Sequence, residues 1–551
     1  MLCGVAVLLR SGSATELGHF SWVGMRCRRS RALANFKHPI PLRILDSHFR
    51  KKPGLIQSPT QDRMTLSNLL SGLEQKLSPG AEILIDPSSA KFKAVLQRWS
   101  DIDVKVPGAI LRPTTKSDTV NIVSQLTSPH LTIPEASDQR RRTRTNARQI
   151  KAAHEYGIPF VPASGGHSPW STIDSSGFIL DLGLCKSIVV EAETESVRVT
   201  GAVLIKELTT ALYEAGRCTA TGNGNTVGVI PFCLGGGIST LTGMIGFGCD
   251  QILSADIVLA DGTLVHASAD QESDLLWAVK GAGQFFGVVV ELRLKTYPLS
   301  IFGSPQGTHW MGNLVYPLDR AEEVCKALET VMVTRQHNTA GIIILMAPPP
   351  EFKPMIAVSL HFLSGDPALA PQAFQSLLDL NPLMYAPSTP TYPKISDSLD
   401  YACAKGDYKR FSLAGASSFN AQNFMKVIEI YKELLAACPD AGATGYAFEW
   451  HTGVKELPVA DSAFGNENTM LWLNTFSWYH SAENHDLVLD FENRAIAAMR
   501  VGTEESEFVD YANCNRIDPI ERRYHGKERL ERLRMLKKKW DPNGVFTKQL
   551  L

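Results

Sequence analysis

Glycine-rich segments at three points along this 551-residue chain constrain its fold more than any other feature of the sequence. Gly165-Gly166 follow a predicted strand, Ile158–Ala163, and precede His167, while further glycines cluster in 222–237 and 281–287. Paired glycines let successive backbone N–H groups point into one concavity, which suits a diphosphate. Clusters so far apart in sequence predict one extended ligand that many backbone segments contact.

Neither later cluster forms the dinucleotide-binding fingerprint of a Rossmann fold. The closing glycine comes one residue late in both Gly222–Gly228 and Gly281–Gly287, and the latter follows a predicted helix, Leu275–Lys280, instead of a strand. The Gly-Gly-His sequence is weak evidence by itself, because a simple turn with an incidental histidine would look the same.

The spacing of apolar residues predicts an α+β fold. Alternating apolar residues predict strands, and apolar residues three or four positions apart predict helices. Up to Ser300 the predicted elements are the helices Met64–Leu77 and Leu204–Ala215 and the strands Phe178–Leu182, Ser196–Val203, Ala255–Leu259, Thr263–Ala267 and Val288–Thr296. Beyond Ser300, strands and helices are mixed, and a basic helix, Arg523–Lys539, comes near the end.

Composition excludes several classes of protein. Lys and Arg number 55 against 56 Asp and Glu, so no nucleic-acid partner is predicted. No apolar run approaches the roughly 18–20 residues of a membrane span. The ten cysteines include no Cys-x-x-Cys pair, so no zinc or other metal site is predicted. The scattered cysteines and the lack of Asn-x-Ser/Thr favour a cytoplasmic protein over a mitochondrial or secreted one.

Two basic segments stand apart from the rest. Residues 1–63 carry eleven Lys or Arg and three Asp or Glu, which fits a disordered tail, translated sequence upstream of the true start, or an Arg-rich transit peptide. Residues 64–103 then form a helical lead-in. Residues 124–149 interrupt a helix, since joining Val123 to Ile150 restores one apolar face. We interpret 124–149 as an inserted loop or an intron read as coding, with a regulatory basic loop as the alternative.

The glycine-rich segments belong to a longer series of motifs in a fixed order. The series runs Arg112–Thr115, Ser164–Ser168, Asp181-Leu182, Asn225–Gly228, Gly235–Gly237, Gly246–Asp250, Ala260–Gly262, Asp274–Gly287, Tyr511–Asn513, Tyr524–Gly526, Arg529-Leu530, Asp541-Pro542 and Phe546. With these motifs the chain resembles FAD-linked oxidases of the vanillyl-alcohol oxidase superfamily, which have a PCMH-type FAD-binding domain. It is most similar to berberine bridge enzyme-like and 6-hydroxynicotine oxidase-like proteins.

The resemblance implies two domains with FAD between them. The PCMH-type FAD-binding domain would span 104–299. A substrate domain, an antiparallel sheet covered by helices, would span 300–505. The berberine-like C-terminal segment, 506–551, would return to the FAD domain.

The resemblance also assigns the FAD contacts. They are Ser164, Gly165, Gly166, His167, Ser168, Asn225, Thr226, Val227, Gly228, Gly235, Gly236, Asp250 and Asn513. His167 would bond covalently to the flavin 8α-methyl group, or else lie unlinked beside it. Gly224 stands where many relatives have a second linking cysteine, and neither Cys233 nor Cys249 fits that place. We therefore expect one covalent bond at most and no cysteinyl link.

Three residues are candidates for the catalytic proton transfer. Tyr511, in the Tyr-x-Asn motif, is the first choice as a base or substrate anchor. Glu449 and His451 alternate with Trp450 on a predicted strand and are the other candidates. Each of the three also fits a packing position.

The predicted activity is a two-electron oxidation of a small molecule in secondary metabolism, with O2 reduced to H2O2. The reaction would be a dehydrogenation, an alcohol oxidation or an oxidative cyclisation. In the family that the chain resembles, a small residue at the position of Val227 lets oxygen approach the flavin. The alternatives are a carbohydrate oxidase of the same superfamily and a flavin-free binding protein. The sequence leaves the oligomeric state open.

Overall fold

A computed structural model of the chain describes residues 66–127, 157–334, 338–363, 365–452, 457, 461–466, 469–514 and 518–551. The predicted extension 1–63 and most of the predicted insert 124–149 lie outside the described residues. The described part contains helices together with parallel and antiparallel strands, so the prediction of an α+β fold is confirmed.

Two sheets form the part of the molecule that precedes residue 300. A four-stranded sheet has the spatial order Glu82–Leu84, Ala109–Arg112, Phe178–Asp181, Phe160–Ala163. A five-stranded antiparallel sheet has the order Lys186–Glu191, Ser196–Gly201, Val288–Lys295, Ile252–Val258, Leu264–Ser268. The helices of this part are Leu66–Leu73, Ala90–Leu96, Lys116–Thr127, Ile205–Glu214, Val229–Leu234, Thr242–Ile245 and Ser273–Ala282. A short pair, Arg217–Cys218 with Tyr297–Pro298, completes it.

One helix overlaps the start of the predicted insert. The helix Lys116–Thr127 includes the first four residues of the segment 124–149. Ser124, Gln125, Leu126 and Thr127 include no helix breaker, and Pro129 follows soon after in the sequence. The insert itself stays a prediction, because its other residues lie outside the described part of the chain.

An eight-stranded antiparallel sheet forms most of the part that follows residue 300. Its order is Met384–Ser388, Trp310–Pro317, Met355–Phe362, Thr339–Met346, Gly445–His451, Leu471–Tyr479, Tyr408–Ala416, Val509–Asp510. The longer helices of this part are Ala321–Thr334, Ala421–Ala437 and His485–Met499, and the shorter ones are Ala370–Ala373 and Gln375–Leu378. The side chain of Asn420 accepts the backbone N–H of Asn423 and begins the helix Ala421–Ala437.

The two faces of this sheet have different surroundings. Ile343, Phe448 and Leu473 are buried in the cluster formed with the long helices. Their neighbours in sequence point to the opposite face, because successive side chains of a strand alternate. That opposite face carries polar residues such as Glu449 and Asn474, which line a large cavity.

The C-terminal segment packs against the part of the chain before residue 300. Its helices are Ile520–Arg523 and Lys527–Trp540, and Leu533 joins the core around the helix Ser273–Ala282. The ammonium of Lys537 is fully buried between the Asp541 carboxylate and the Phe285 carbonyl, at 2.5 and 2.6 Å. Among the described residues no helix is long and apolar enough to cross a bilayer.

Candidate active site

A cavity of about 1020 Å³ lies between the sheets that precede residue 300 and the polar face of the eight-stranded sheet. Pro162 and Val289 line one side, and Ile344, Glu449 and Asn474 line the other. A volume at the upper end of the range for ligand pockets suits a large cofactor together with a substrate.

The loop 164–168 enters this cavity directly after the strand Phe160–Ala163. A β-carbon on Gly165 would lie 2.6 Å from both the Gly228 nitrogen and the Thr226 oxygen, so only glycine lets the loop and the turn 226–228 meet. Gly166 has φ +72°, which an L side chain rarely adopts. The glycine pair thus places His167 at the cavity wall.

The imidazole of His167 is held on two sides. Its Nε2 lies 2.7 Å from the Thr226 hydroxyl, and its ring stacks on Trp99 with centroids 5.7 Å apart. Burial, reinforced by the positive charges of Lys409 and Lys405, lowers the pKa of His167 to about 4. The ring is therefore neutral at pH 7.

A carboxylate faces the same cavity from the eight-stranded sheet. Oε1 of Glu449 accepts the Asn223 amide at 3.1 Å and lies 3.3 Å from Nε2 of His451. Burial would raise the pKa of Glu449, but the contacts with His451, Asn223 and Asn474 outweigh it and the pKa is lowered. Glu449 is therefore an ionised carboxylate, and it lines the cavity.

His451 lies beside Glu449 on the same sheet face. It is 1% exposed, and its Nε2 lies 3.3 Å from the Glu449 carboxylate. The contact suits a residue that positions Glu449, and the catalytic function of His451 stays a prediction.

Tyr511 and Asn513 both line the cavity from the C-terminal segment. The Tyr511 hydroxyl accepts the Gly237 N–H at 2.8 Å, and its ring packs edge-on against Trp472 and Phe464. Burial raises the pKa of Tyr511, so its hydroxyl stays protonated at neutral pH. A protonated hydroxyl suits an anchor better than a base, and the function of Tyr511 stays a prediction.

The structure divides the other predicted FAD contacts into two sets. Ser164, Gly165, Gly166, Ser168, Val227 and Gly228 line the cavity with His167 and Asn513. Asn225, Thr226, Gly235, Gly236 and Asp250 do not. The Thr226 hydroxyl contacts His167, which does line the cavity.

The other four residues make contacts within the protein, and their predicted contacts with FAD stay predictions. The Asn225 amide is turned toward Asp397 and Asp400 and donates to them at 2.9 and 2.7 Å. Asp250 accepts the backbone N–H of Phe247 at 2.8 Å and stabilises a turn. Gly235 and Gly236 make room for neighbours, since β-carbons there would overlap the side chains of Asn513 and Phe464.

Several cavity residues were missed from the sequence. Trp99, Lys409 and Trp478 form one cluster, with the Lys409 ammonium 5.2 and 4.6 Å from the two indole rings. Cys403 and Asn474 also line the cavity. Strand alternation on Tyr408–Ala416 is the one signal that could have indicated Lys409.

The lining leaves polar atoms that a ligand could satisfy. Oγ of Ser164 and Oδ1 of Asn474 are buried without a hydrogen-bond partner among the described residues. Buried polar groups rarely stay unpaired, so the pair points to a bound molecule. The Gly-Gly loop and these atoms fit FAD. No group of three or more His, Cys, Asp or Glu able to hold a metal occurs in the described part of the chain.

Comparison with known proteins identifies the family. Residues 142–268 match the family described as FAD binding domain, and 510–550 match the family described as berberine and berberine like. Over 504 residues the chain is 29% identical to the FAD-linked oxidoreductase hasG of Aspergillus fumigatus, covering 87% of this chain and 98% of that protein. The chain thus contains matches to both family models and is similar along most of its length to fungal FAD-linked oxidoreductases. The predicted resemblance and enzyme class are confirmed.

Solved structures show the same fold. The Physcomitrella patens protein BBE-like 1 aligns with a TM-score of 0.70 at 17% identity, over 88% of this chain and 98% of its own. The 6-hydroxy-D-nicotine oxidase of Arthrobacter nicotinovorans aligns with a TM-score of 0.65 at 20% identity, over 85% and 97%. The prediction of a PCMH-type FAD-binding domain with a substrate domain is therefore confirmed at the level of the fold.

A third solved structure also shares the fold. It is the glucooligosaccharide oxidase of Acremonium strictum, whose FAD is described as 6-S-cysteinyl and 8α-N1-histidyl. It aligns with a TM-score of 0.68 at 16% identity, over 88% of this chain and 98% of its own.

Proposed function

We propose that this chain is an FAD-dependent oxidase that removes two electrons from a small molecule of secondary metabolism and passes them to O2, forming H2O2. The observation that carries the proposal is that one cavity holds a neutral imidazole, His167, and an ionised carboxylate, Glu449. Bound FAD supplies the two-electron acceptor.

His167 is suited to bond the flavin 8α-methyl group. A neutral ring has a nitrogen lone pair, and an Nε2–H donated to Thr226 leaves that lone pair on Nδ1. Nδ1 is the N1 position of a histidine ring, the atom named for the linked flavin of the glucooligosaccharide oxidase. We infer that Thr226 selects the linking nitrogen.

Glu449 is the base in this proposal. An ionised carboxylate accepts the proton of a substrate hydroxyl, phenol or amine as the electrons leave. His451 and Asn223 fix the orientation of the carboxylate. Tyr511, which stays protonated, orients the substrate by donating its hydroxyl hydrogen.

Part of the cavity wall suits an apolar or aromatic part of a substrate. Ile342, Ile344, Met346, Phe352 and Trp478 line this part. Aliphatic and aromatic side chains bury an apolar group, whereas Asp440 and Asn474 of the same cavity could bind hydroxyls. The carbohydrate oxidase remains the second candidate because solved carbohydrate oxidases share the fold.

The test is the release of H2O2 by the purified protein with a panel of phenols, alcohols, N-heterocycles and oligosaccharides. We expect a flavin absorption band in the protein and turnover with apolar substrates. A colourless preparation would overturn the oxidase proposal. Turnover limited to oligosaccharides would favour the carbohydrate oxidase.

A further inference from the structure

The thiol of Cys403 lies where a second attachment to the cofactor would be made. Gly224 has no side chain, and a β-carbon built on it would lie 3.8 Å from Sγ of Cys403. Cys403 is a free cysteine of the cavity wall, although it is 179 positions away in the sequence. The space beside Gly224 is thus bordered by a thiol from another segment.

We propose that Cys403 forms a second covalent bond to the flavin, at C6 of its ring system, in addition to the bond from His167. This inference rests on the proposed function. The glucooligosaccharide oxidase shows that this fold carries a flavin joined to both a histidine and a cysteine. The sequence-based expectation of no cysteinyl link considered only cysteines near Gly224 in sequence.

Specific contacts hold the segment of Cys403 against the histidine side of the cavity. The Trp99 indole N–H donates to the carbonyl of Ala402 at 2.6 Å, and the same indole stacks on His167. One side chain therefore contacts the imidazole and the residue before Cys403. These two contacts of Trp99 keep His167 and Cys403 on the same side of the cavity.

A second set of contacts holds the same segment beside Gly224. The amide of Asn225, the residue after Gly224, donates to Asp397 and Asp400, which lie on the helical turn Asp397–Cys403. Lys206 also pairs with Asp397 at 2.5 Å. The turn around Gly224, which has no cysteine, is thus hydrogen-bonded to the segment that contains Cys403.

Charge and unpaired polar atoms agree with a reaction at this place. Lys409 donates to the carbonyl of Ala404, so a positive charge lies next to the segment. Independently, Oδ1 of Asn474, a residue 3% exposed, is buried in the cavity wall without a partner among the described residues. That atom indicates that a ligand occupies the cavity.

The bond formation balances with O2 as the oxidant. The S–C6 bond forms, while the S–H bond of Cys403 and the C6–H bond of the flavin break. The two hydrogens and two electrons released reduce one O2 to H2O2. The flavin ends in its oxidised state, joined through sulfur.

The test uses the purified full-length holoenzyme, digested with trypsin and analysed by mass spectrometry. We expect flavin mass on peptide 395–405, which contains Cys403, and on peptide 152–186, which contains His167. His167→Ala should retain acid-stable flavin, whereas His167→Ala/Cys403→Ser should retain less than a tenth of it. Cys514→Ser, which changes another cavity cysteine, is the matched control and should retain both bonds.

The outcomes separate this proposal from the proposed function. A flavin on 152–186 together with an alkylatable thiol on 395–405 would overturn the second bond and leave the oxidase proposal intact. FAD that dissociates fully in acid would overturn both covalent bonds but not FAD binding. A protein without flavin would overturn the proposed function as well.

Discussion

The hydroxyl of Thr226 lies 2.7 Å from Nε2 of His167 and fixes which edge of the imidazole faces the cavity. Replacing this hydroxyl by a methyl group leaves the ring free to turn. For Thr226→Val we expect covalent attachment of FAD to slow by about tenfold, the factor that one hydrogen bond of roughly 1.4 kcal/mol supplies.

The measurement is the time course of acid-stable flavin after FAD is added to apoprotein. Thr210→Val, which alters an exposed threonine bonded only to its own helix, serves as the control. An unchanged rate in Thr226→Val would contradict the orienting function of Thr226.

Removal of the Glu449 charge tests the base. Glu449→Gln keeps the shape of the side chain but cannot accept the substrate proton, so kcat should fall by roughly 10²–10⁴ with KM little changed. Since the pKa of Glu449 is lowered from 4.5, the acid limb of kcat/KM should lie below pH 4.5 in the native enzyme.

Tyr511→Phe, which removes only an anchor, should raise KM more than it lowers kcat.

The contact of Gly235 with Asn513 predicts a steric effect at the cavity. A β-carbon on Gly235 would lie 1.9 Å from the Asn513 side chain, so Gly235→Ala must displace Asn513. We expect a loss of about 1–3 kcal/mol of unfolding free energy together with weaker FAD binding. Gly157→Ala, where no described atom lies within 4 Å of the added carbon, should leave both unchanged.

Asn225 donates hydrogen bonds to two acidic side chains. A negative charge introduced at this position should therefore destabilise the fold more than removal of the amide. Asn225→Asp would place a carboxylate against Asp397 and Asp400, whereas Asn225→Ala only removes the donor. The aspartate variant should therefore melt at a lower temperature than the alanine variant, and high salt should narrow the difference. Equal melting temperatures at low salt would argue against a direct charge contact.

Two buried histidines predict how stability depends on pH. His309 and His361 contact each other at 2.9 Å, and burial lowers the pKa of both, that of His361 to about 4. Below pH 6.5 the unfolded chain binds protons that the folded chain does not. Acidification toward pH 4 should therefore destabilise the fold, by about 1.4 kcal/mol per pH unit for each histidine.

Urea unfolding between pH 7 and 4.5 measures this slope. The double variant His309→Gln/His361→Gln should have a shallower slope, while His525→Gln, at a less buried position, should keep the native one. If the double variant kept the native slope, His309 and His361 would not be the source of the pH dependence of stability.

The sequence predicted elements best where hydrophobic periodicity was regular. The strand Ser196–Gly201 and the helix Ile205–Glu214 lie within two residues of their predicted bounds. The strand Val288–Lys295 also matches its predicted bounds, but a bulge leaves Val290 without a partner in register on the strand Ile252–Val258. Val288 and Val290 consequently join a different core cluster from Leu292 and Leu294.

The site was predictable only where a local motif carries it. The loop 164–168 has its glycines and histidine in consecutive positions, so together with the other glycine-rich segments its sequence indicated a ligand. Cys403 and Trp99 meet through tertiary contacts that no spacing in the sequence encodes. The direction of the Asn225 side chain depends on Asp397 and Asp400, which are equally remote.

Successive side chains along the strands of the eight-stranded sheet face the helices and the cavity in turn, so they meet two different structural constraints. Phe448 and Leu473 face the helices and are constrained by packing, whereas Ala447 and Asn474 face the cavity and are constrained by whatever is bound. Substitutions on the cavity face can accumulate without disturbing the helix contacts. A gene duplicate can in this way acquire a new substrate through neighbouring codons of the same strands while the scaffold is inherited intact.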